Sequence, residues 1–459
     1  MLSIDAPSAA EDGDDQLTSE LNLSEVEEMK NSYASGGEEE CRRLLQTKCN
    51  EWKDTPLNVA VIGNSGVGKS SFINAVRGLS PQDDGAAAVG ITEGTTDLCS
   101  YPHPNNPMLQ LWDLPGVGTD RFPREKYLDE IVVDRYDFFL LLTATRFTKN
   151  DTWLVNEIRK RNKTCFFVRT KIEFDISNNA KSYPDSHSEE AVLETIRQSI
   201  AEHLVDNGCG DIPIFLIDNQ ELSEFDFIEL NVKLIKNFPD LKRDAIALSL
   251  QSWNEEMIDL KMNALRSRAW KMALLSSALA VFPVPGISVG VDMAIIKGES
   301  DFYFKKINLD DESLKRYAEL YKADYYQLKS VIDNRLEVVA LEGAKEGVKV
   351  ASVAVGSVSA FLCATVRIAL STAAKISGPL IVLSGLIAAP LSFAGTYRSL
   401  KLVLDKYEKI AKEVNEHAAK SVASAVEIQA AEATISEDTE NAGTAEKSMQ
   451  YGVEESTSD

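Results

Sequence analysis

The sequence predicts a two-part fold: an α/β half built on a mostly parallel, doubly wound sheet, and an all-α half assembled from N- and C-terminal helices. Three observations predict it. Residues 57–242 alternate apolar runs of strand length with helical stretches, such runs vanish from about residue 245 onward, and residues 17–52 are rich in Glu and Leu. Runs nearly continuous in hydrophobicity suit strands covered on both faces, and their alternation with helices implies parallel crossovers.

Length and composition agree. A chain of 459 residues exceeds the ~100–200 residues of a typical domain, so two units are expected. Hydrophobic residues at 44% and charged residues at 26% suit a globular body with a real core. The formal net charge of -23 repels nucleic-acid phosphates, which sets nucleic acid aside as a partner. Residues 1–16 and 421–459 are acidic, small and polar, and are expected to be disordered because they cannot bury enough surface. Six cysteines without CxxC spacing, and an N-terminus without a basic and apolar leader, predict a reducing, cytoplasmic location with thiols packed rather than paired.

Taken in order, residues 17–54 read as two short helices separated by SGGEE, with Ser24 as an N-cap and DTP at 54–56 as the breaker. Residues 55–243 form the α/β unit. Its strands are LNVAVIG, MLQLWDLPG, YDFFLLLTATR, KTCFFVRTK and IPIFLID, rich in branched and aromatic residues. SSFINAVRGL and EEAVLETIRQSIAEHLVDNG read as helices. The second places Val192, Leu193, Ile196, Ile200 and Leu204 on one face and stops at Gly208. Residues 244–420 form the helical unit, with amphipathic helices over 245–272 and 311–346 and apolar stretches at 272–291 and 350–397.

Gly63-Asn64-Ser65-Gly66-Val67-Gly68-Lys69-Ser70, followed by Ser71, fits G-x-x-x-x-G-K-[ST] between a predicted strand and a predicted helix. Glycines let the backbone wrap so that several N–H groups meet phosphate oxygens, and the helix N-terminus adds partial positive charge. Lys69 is placed to reach the β/γ-phosphates and the Ser70 hydroxyl to ligate Mg²⁺. Asp113-Leu114-Pro115-Gly116 ends a strand, where Asp113 can hold the metal shell and the Gly116 N–H can sense a γ-phosphate. Thr92 and Thr95 lie in GITEGTTDL, where a threonine that closes on Mg²⁺ is expected; Thr95 is the better placed, and a plain solvated loop threonine explains it equally well.

Thr170-Lys171-Ile172-Glu173 matches [NT]-K-x-D except at its last position. There a carboxylate takes both guanine N1–H and N2–H₂, which adenine cannot offer. Glu173 is one methylene longer and still accepts two hydrogen bonds if the strand end or base shifts; Asp175 is close but out of register. Asp218-Asn219 follow the last strand, where a loop amide meets the base oxygen.

With these residues in place, GNSGVGKSSFINAVRGL, VGITEGTTDLCSYPHP, LWDLPGVGTDRFPREKYL, YDFFLLLTATRFTKND, FFVRTK and PIFLIDN resemble the immunity-related, or interferon-inducible, GTPases over about residues 20–245. VPGISVGVDMAI and FYFKKINLDDESL are similar in kind. The resemblance implies a Ras-like P-loop G domain between N- and C-terminal helices, GTP/GDP with Mg²⁺, and GTP-dependent self-assembly. It further implies hydrolysis that is slow until two G domains pair, and action at intracellular membranes in innate defence. Gly68-Lys69-Ser70 places the chain with the lysine branch of the family, whose members are effectors. After Gly116 the sequence is VGTDRF, with no glutamine to orient water, so help comes from Glu93 in the switch loop or from a partner molecule. A nucleotide-held scaffold with little turnover, and an NTPase of relaxed base specificity, stay open beside this reading.

Residues 272–291 and 376–397 are uncharged for 20 and 22 residues, long enough to span a bilayer by the criterion of roughly 18. FPVPG in the first, and Pro379, Pro390 and many small residues in the second, suit buried helices equally. The chain is therefore expected to be cytoplasmic, with peripheral or partly inserted membrane association as one reading and core packing as the other.

Overall fold

The computed structural model describes residues 23–90, 98–118, 122–145, 148–252, 254–279, 287–345 and 393–421. In chain order the first half comprises α1 (Leu23–Asp54), β1 (Leu57–Ile62), α2 (Lys69–Arg77), β2 (Cys99–His103), β3 (Asn106–Asp113) and α3 (Arg124–Ile131). It continues through β4 (Phe138–Thr143), α4 (Lys149–Lys160), β5 (Thr164–Arg169), α5 (Ile172–Ser182), α6 (Glu189–Asp206) and β6 (Ile214–Leu216). Helices follow: α7 (Phe227–Lys236), α8 (Asp240–Ala247), α9 (Glu255–Leu279), α10 (Ile287–Lys306), α11 (Asp311–Leu320), α12 (Tyr325–Lys345) and α13 over 393–421.

The strands form one sheet in the order β2-β3-β1-β4-β5-β6, parallel throughout except for the antiparallel pair β2–β3. Alternation along β4 shows why. Phe138, Leu140 and Leu142 enter one core, while Phe139 and Leu141 enter the other with Tyr127, Leu154 and Leu204 from the helices of the opposite face. Each such side chain contributes about 1.5–3 kcal/mol when fully buried. The first core does not stop at the sheet. It runs on through Met257 and Leu265 of α9, Tyr303 of α10, Leu314 of α11 and Leu404 of α13.

Four sequence expectations are corrected. Residues 23–54 form one helix through Gly36-Gly37 rather than two. Each glycine costs only about 1 kcal/mol in a helix, and the C-terminal turns are held by tertiary contacts. Arg268 of α9 donates to the Cys49 carbonyl, and the Trp52 ring meets Phe302 at 5.9 Å. Second, β2 was not expected; its Pro102 reads against a strand, yet an edge position tolerates a missing donor. Third, the helix expected over 311–346 is two, broken where Lys322 adopts φ 49°. Fourth, that over 245–272 is divided between α8 and α9. Helices α3, α4 and α5 also went unrecognised.

Cys49, Cys165 and Cys209 are buried and Cys99 is half-buried, and none of these four forms a disulfide among the described residues, as expected. Among the described residues no helix is long and apolar enough to cross a membrane. Residues 280–286, in the middle of the first apolar stretch, and 346–392, most of the second, lie outside the described residues, as do both acidic termini.

Where sheet and helices meet, Lys306 donates to the carbonyls of Leu248 (3.2 Å) and Asn105 (3.4 Å) and lies 4.7 Å over the Trp52 ring. Burial, and then the neighbouring cations Lys305, Lys53 and Arg268, lower its pKa to about 8. Between pH 8 and 10.5 the unfolded chain thus holds a proton that the folded chain has released, so stability rises with pH across that window. The cost of charging Lys306 is fully present below pH 8. Lys306→Met should therefore stabilise the protein more at pH 7 than at pH 10.5, by up to roughly 3 kcal/mol. Urea unfolding of both chains at the two pH values checks this; an equal effect at both would refute the buried-charge account.

Candidate nucleotide site

β1 lies between β3 and β4, so the strand order reverses at its C-terminal end and a crevice opens there. Residues 63–68 cross that crevice and α2 begins at Lys69 with no side-chain cap, leaving first-turn N–H groups open to an anion. Gly63 is required by space: a Cβ there would stand 2.3 Å from the Leu142 carbonyl oxygen of β4. Asn64, Ser65 and Gly66 form the exposed outer rim; Val67 is buried beneath it, and Ser71 is half-buried in the first turn of α2.

Lys69 is buried, and its ammonium donates to the carbonyls of Gly63 (3.0 Å) and Asn64 (3.2 Å), 4.0 Å from Asp113 Oδ1. Burial lowers its pKa, and the Asp113 carboxylate opposes that shift. The Ser70 hydroxyl donates to Asp113 Oδ2 at 2.9 Å. One hydroxyl and one carboxylate side by side are hard oxygen donors, which fits Mg²⁺ completing its shell with phosphate and water. Gly116 closes the other side, where a Cβ would come within 3.1 Å of Asn64 Cα and 3.2 Å of the Gly63 oxygen.

The more distant motifs converge on the same loop. Thr170, fully buried, shares its hydroxyl proton between the Val67 carbonyl (2.7 Å) and the Thr143 carbonyl (3.2 Å). Asn219 Nδ2 donates to the Gly68 carbonyl at 3.0 Å, while its buried Oδ1 accepts no hydrogen bond. Asp218 turns its carboxylate back onto the Gln220 N–H at 2.9 Å. Lys171 stands exposed at the N-cap of α5 with φ 59°. Glu173, also exposed, accepts from Ser177 Oγ at 3.0 Å, and Asp175 is held instead by Arg169 at 2.5 Å. Lys69, Ser70, Asp113, Gly116, Thr170 and Asn219 are thus brought together, with Glu173 on the first turn of α5 beside Lys171. Thr92, Glu93 and Thr95 lie outside the described residues.

Sequence reasoning missed three residues that brace this site. Tyr127 donates to the Pro115 carbonyl (2.7 Å), Asn150 to the Val117 carbonyl (3.2 Å), and Arg169 secures α5 through Asp175. Arg169 follows an apolar run into a recognised motif and could have been flagged; Tyr127 and Asn150 have no signature spacing.

The family described as interferon-inducible GTPase (IIGP) matches residues 26–370. The chain is 38% identical to the T-cell-specific guanine nucleotide triphosphate-binding protein 2 of Mus musculus over 276 residues, 60% of this chain and 66% of that protein. It is 36% identical to interferon-inducible GTPase 5 of Rattus norvegicus over 323 residues, 70% of this chain and 70% of that protein. Interferon-inducible GTPase 1 of Mus musculus is 36% identical over 60% of this chain and 67% of its own length. The match thus spans about two thirds of these relatives. A family match over more than half of the chain, on the residues that build the crevice, makes this protein a member of the interferon-inducible GTPase family.

Proposed function

We propose that this chain binds GTP and GDP with Mg²⁺, hydrolyses GTP to GDP slowly alone and faster when two copies meet across their nucleotide faces, and acts at intracellular membranes in innate defence. The observation that carries the chemical part is the Lys69–Ser70–Asp113 cluster at the reversal of strand order, directly under an uncapped helix N-terminus. Lys69 leaves its two loop carbonyls for the β/γ-phosphates, and the first-turn N–H groups of α2 bind phosphate oxygens. Ser70 and Asp113 would hold the metal ion, which when bound would neutralise phosphate charge. Glu173 accepts the two guanine donors, a choice supported by the guanine-binding name of one relative. Residues 55–243 serve as the G domain, with 17–54 joining 244–420 in the helical domain; the packing of α1 along α9 supports that grouping.

The absence of glutamine from residues 117–122 puts the missing catalytic help either on Glu93 or on a second copy, and self-association supplies it from the second copy. Turnover per molecule should then rise steeply over a roughly hundredfold increase in protein concentration. Phosphate release in GTP and Mg²⁺ measures it, and a constant turnover number would remove self-association from the mechanism. Near-zero release at every concentration, with nucleotide still bound, would instead favour a nucleotide-held scaffold. Liposome flotation of the same preparation in GTP and in GDP tests the membrane part; recovery only at the bottom in both would count against it.

A further inference from the structure

We infer that Tyr127 is the residue that aims the Gly116 N–H, and so sets how strongly the site prefers a triphosphate over a diphosphate; this rests on the GTP reading above. The hydroxyl of Tyr127, on α3, donates to the Pro115 carbonyl oxygen at 2.7 Å. That oxygen and the Gly116 N–H belong to one peptide unit. In a trans peptide the C=O and N–H point in opposite directions, so a donor gripping the oxygen fixes where the N–H faces. It faces away from α3. Gly116 itself stands against Asn64 and the Gly63 carbonyl at the start of the phosphate loop. The Gly116 N–H makes no hydrogen bond to another described residue, so it is left for a ligand.

The grip is built to last. Tyr127 is fully buried, its ring lies edge-on to Phe122 at 6.4 Å, and the Phe122 carbonyl accepts from Gly118 N at 2.9 Å. Burial pushes the Tyr127 phenol well above its ordinary range, so the group remains a donor at any pH the protein meets. A hydrogen bond accepted by the carbonyl also polarises its own amide, which strengthens the N–H as a donor. Diphosphates lack the γ-phosphate, so they gain nothing from this orientation.

Tyr127→Phe in the full chain keeps the ring and removes the grip. Its affinity for a non-hydrolysable GTP analogue should fall roughly three- to tenfold, while GDP affinity stays within about twofold. A merely structural hydroxyl would weaken both nucleotides equally and lower the melting temperature, or change neither; each result would overturn the inference. Asn150→Ala frees the Val117 carbonyl, two residues beyond Pro115, without touching the Pro115–Gly116 peptide, and should leave the preference intact. A loss as large as that of Tyr127→Phe would move the effect from this peptide to the whole loop and defeat the assignment. A wild-type chain that binds neither nucleotide overturns the GTP reading as well. One that binds both, with Tyr127→Phe indistinguishable from it, overturns this inference alone.

Discussion

Lys69→Ala should reduce GTP turnover by about 10²–10³-fold or more and weaken triphosphate binding in parallel. The ammonium lies inside the loop at the uncapped start of α2 and is buried, so its attraction to an anion is poorly screened. Removing it also takes away the donor shared by the Gly63 and Asn64 carbonyls, which loosens the loop before any ligand arrives. The fold should survive. Burial already disfavours the charged lysine, so its loss relieves a desolvation cost while forfeiting two hydrogen bonds. Fluorescent-nucleotide titration and phosphate release measure the effect, with thermal melting of the nucleotide-free protein as the control. Binding within a few-fold of wild type would mean that phosphate is held elsewhere.

Glu173→Gln should turn base preference from guanine toward xanthine. A carboxylate accepts two hydrogen bonds, matching guanine N1–H and N2–H₂; an amide accepts one and donates one, matching xanthine N1–H and its 2-oxo group. A bidentate pair of this kind carries about 1–3 kcal/mol, so the guanine-to-xanthine ratio should move by roughly fivefold to more than a hundredfold. The carboxylate must first give up the Ser177 hydroxyl, an exposed contact of little cost. Asp175→Asn makes a sharp comparison. Arg169 already occupies that carboxylate, so the amide there should lower stability and leave base preference alone. If the Asp175 variant switches bases and the Glu173 variant does not, the recognition carboxylate has been misassigned.

What the sequence made legible follows from the range of the forces involved. The parallel strands were readable because burial on both faces writes itself as unbroken apolar runs, as in FFLLLT. The phosphate loop was readable because its geometry tolerates few residues at Gly63, Lys69 and Ser70. The edge strand β2 was not, since five residues including a proline carry no pattern, and its pairing with β3 depends on the neighbour. Nor was the continuity of α1 through two glycines, which depends on contacts more than 200 residues away in the chain, such as Arg268 on Cys49. Tyr127 illustrates the same limit at the site. In sequence it is one apolar residue of a short helix, and only the approach of α3 to the Pro115 carbonyl gives its hydroxyl a task.

Thr170 and Asn219, reaching from the ends of β5 and β6, hold the carbonyls of Val67 and Gly68 before any nucleotide binds. A glycine-rich loop left to itself would have to surrender its backbone freedom on meeting phosphate, at about 1–2 kcal/mol per residue fixed. Here much of that ordering is completed when the sheet forms, so more of the attraction to phosphate is retained as affinity. In the proposed site, base-side and phosphate-side recognition would also be mechanically one unit. A shift of β5 or β6 that accommodated the base would pull on the Val67 and Gly68 carbonyls, and the fit of one end of the nucleotide would be felt at the other.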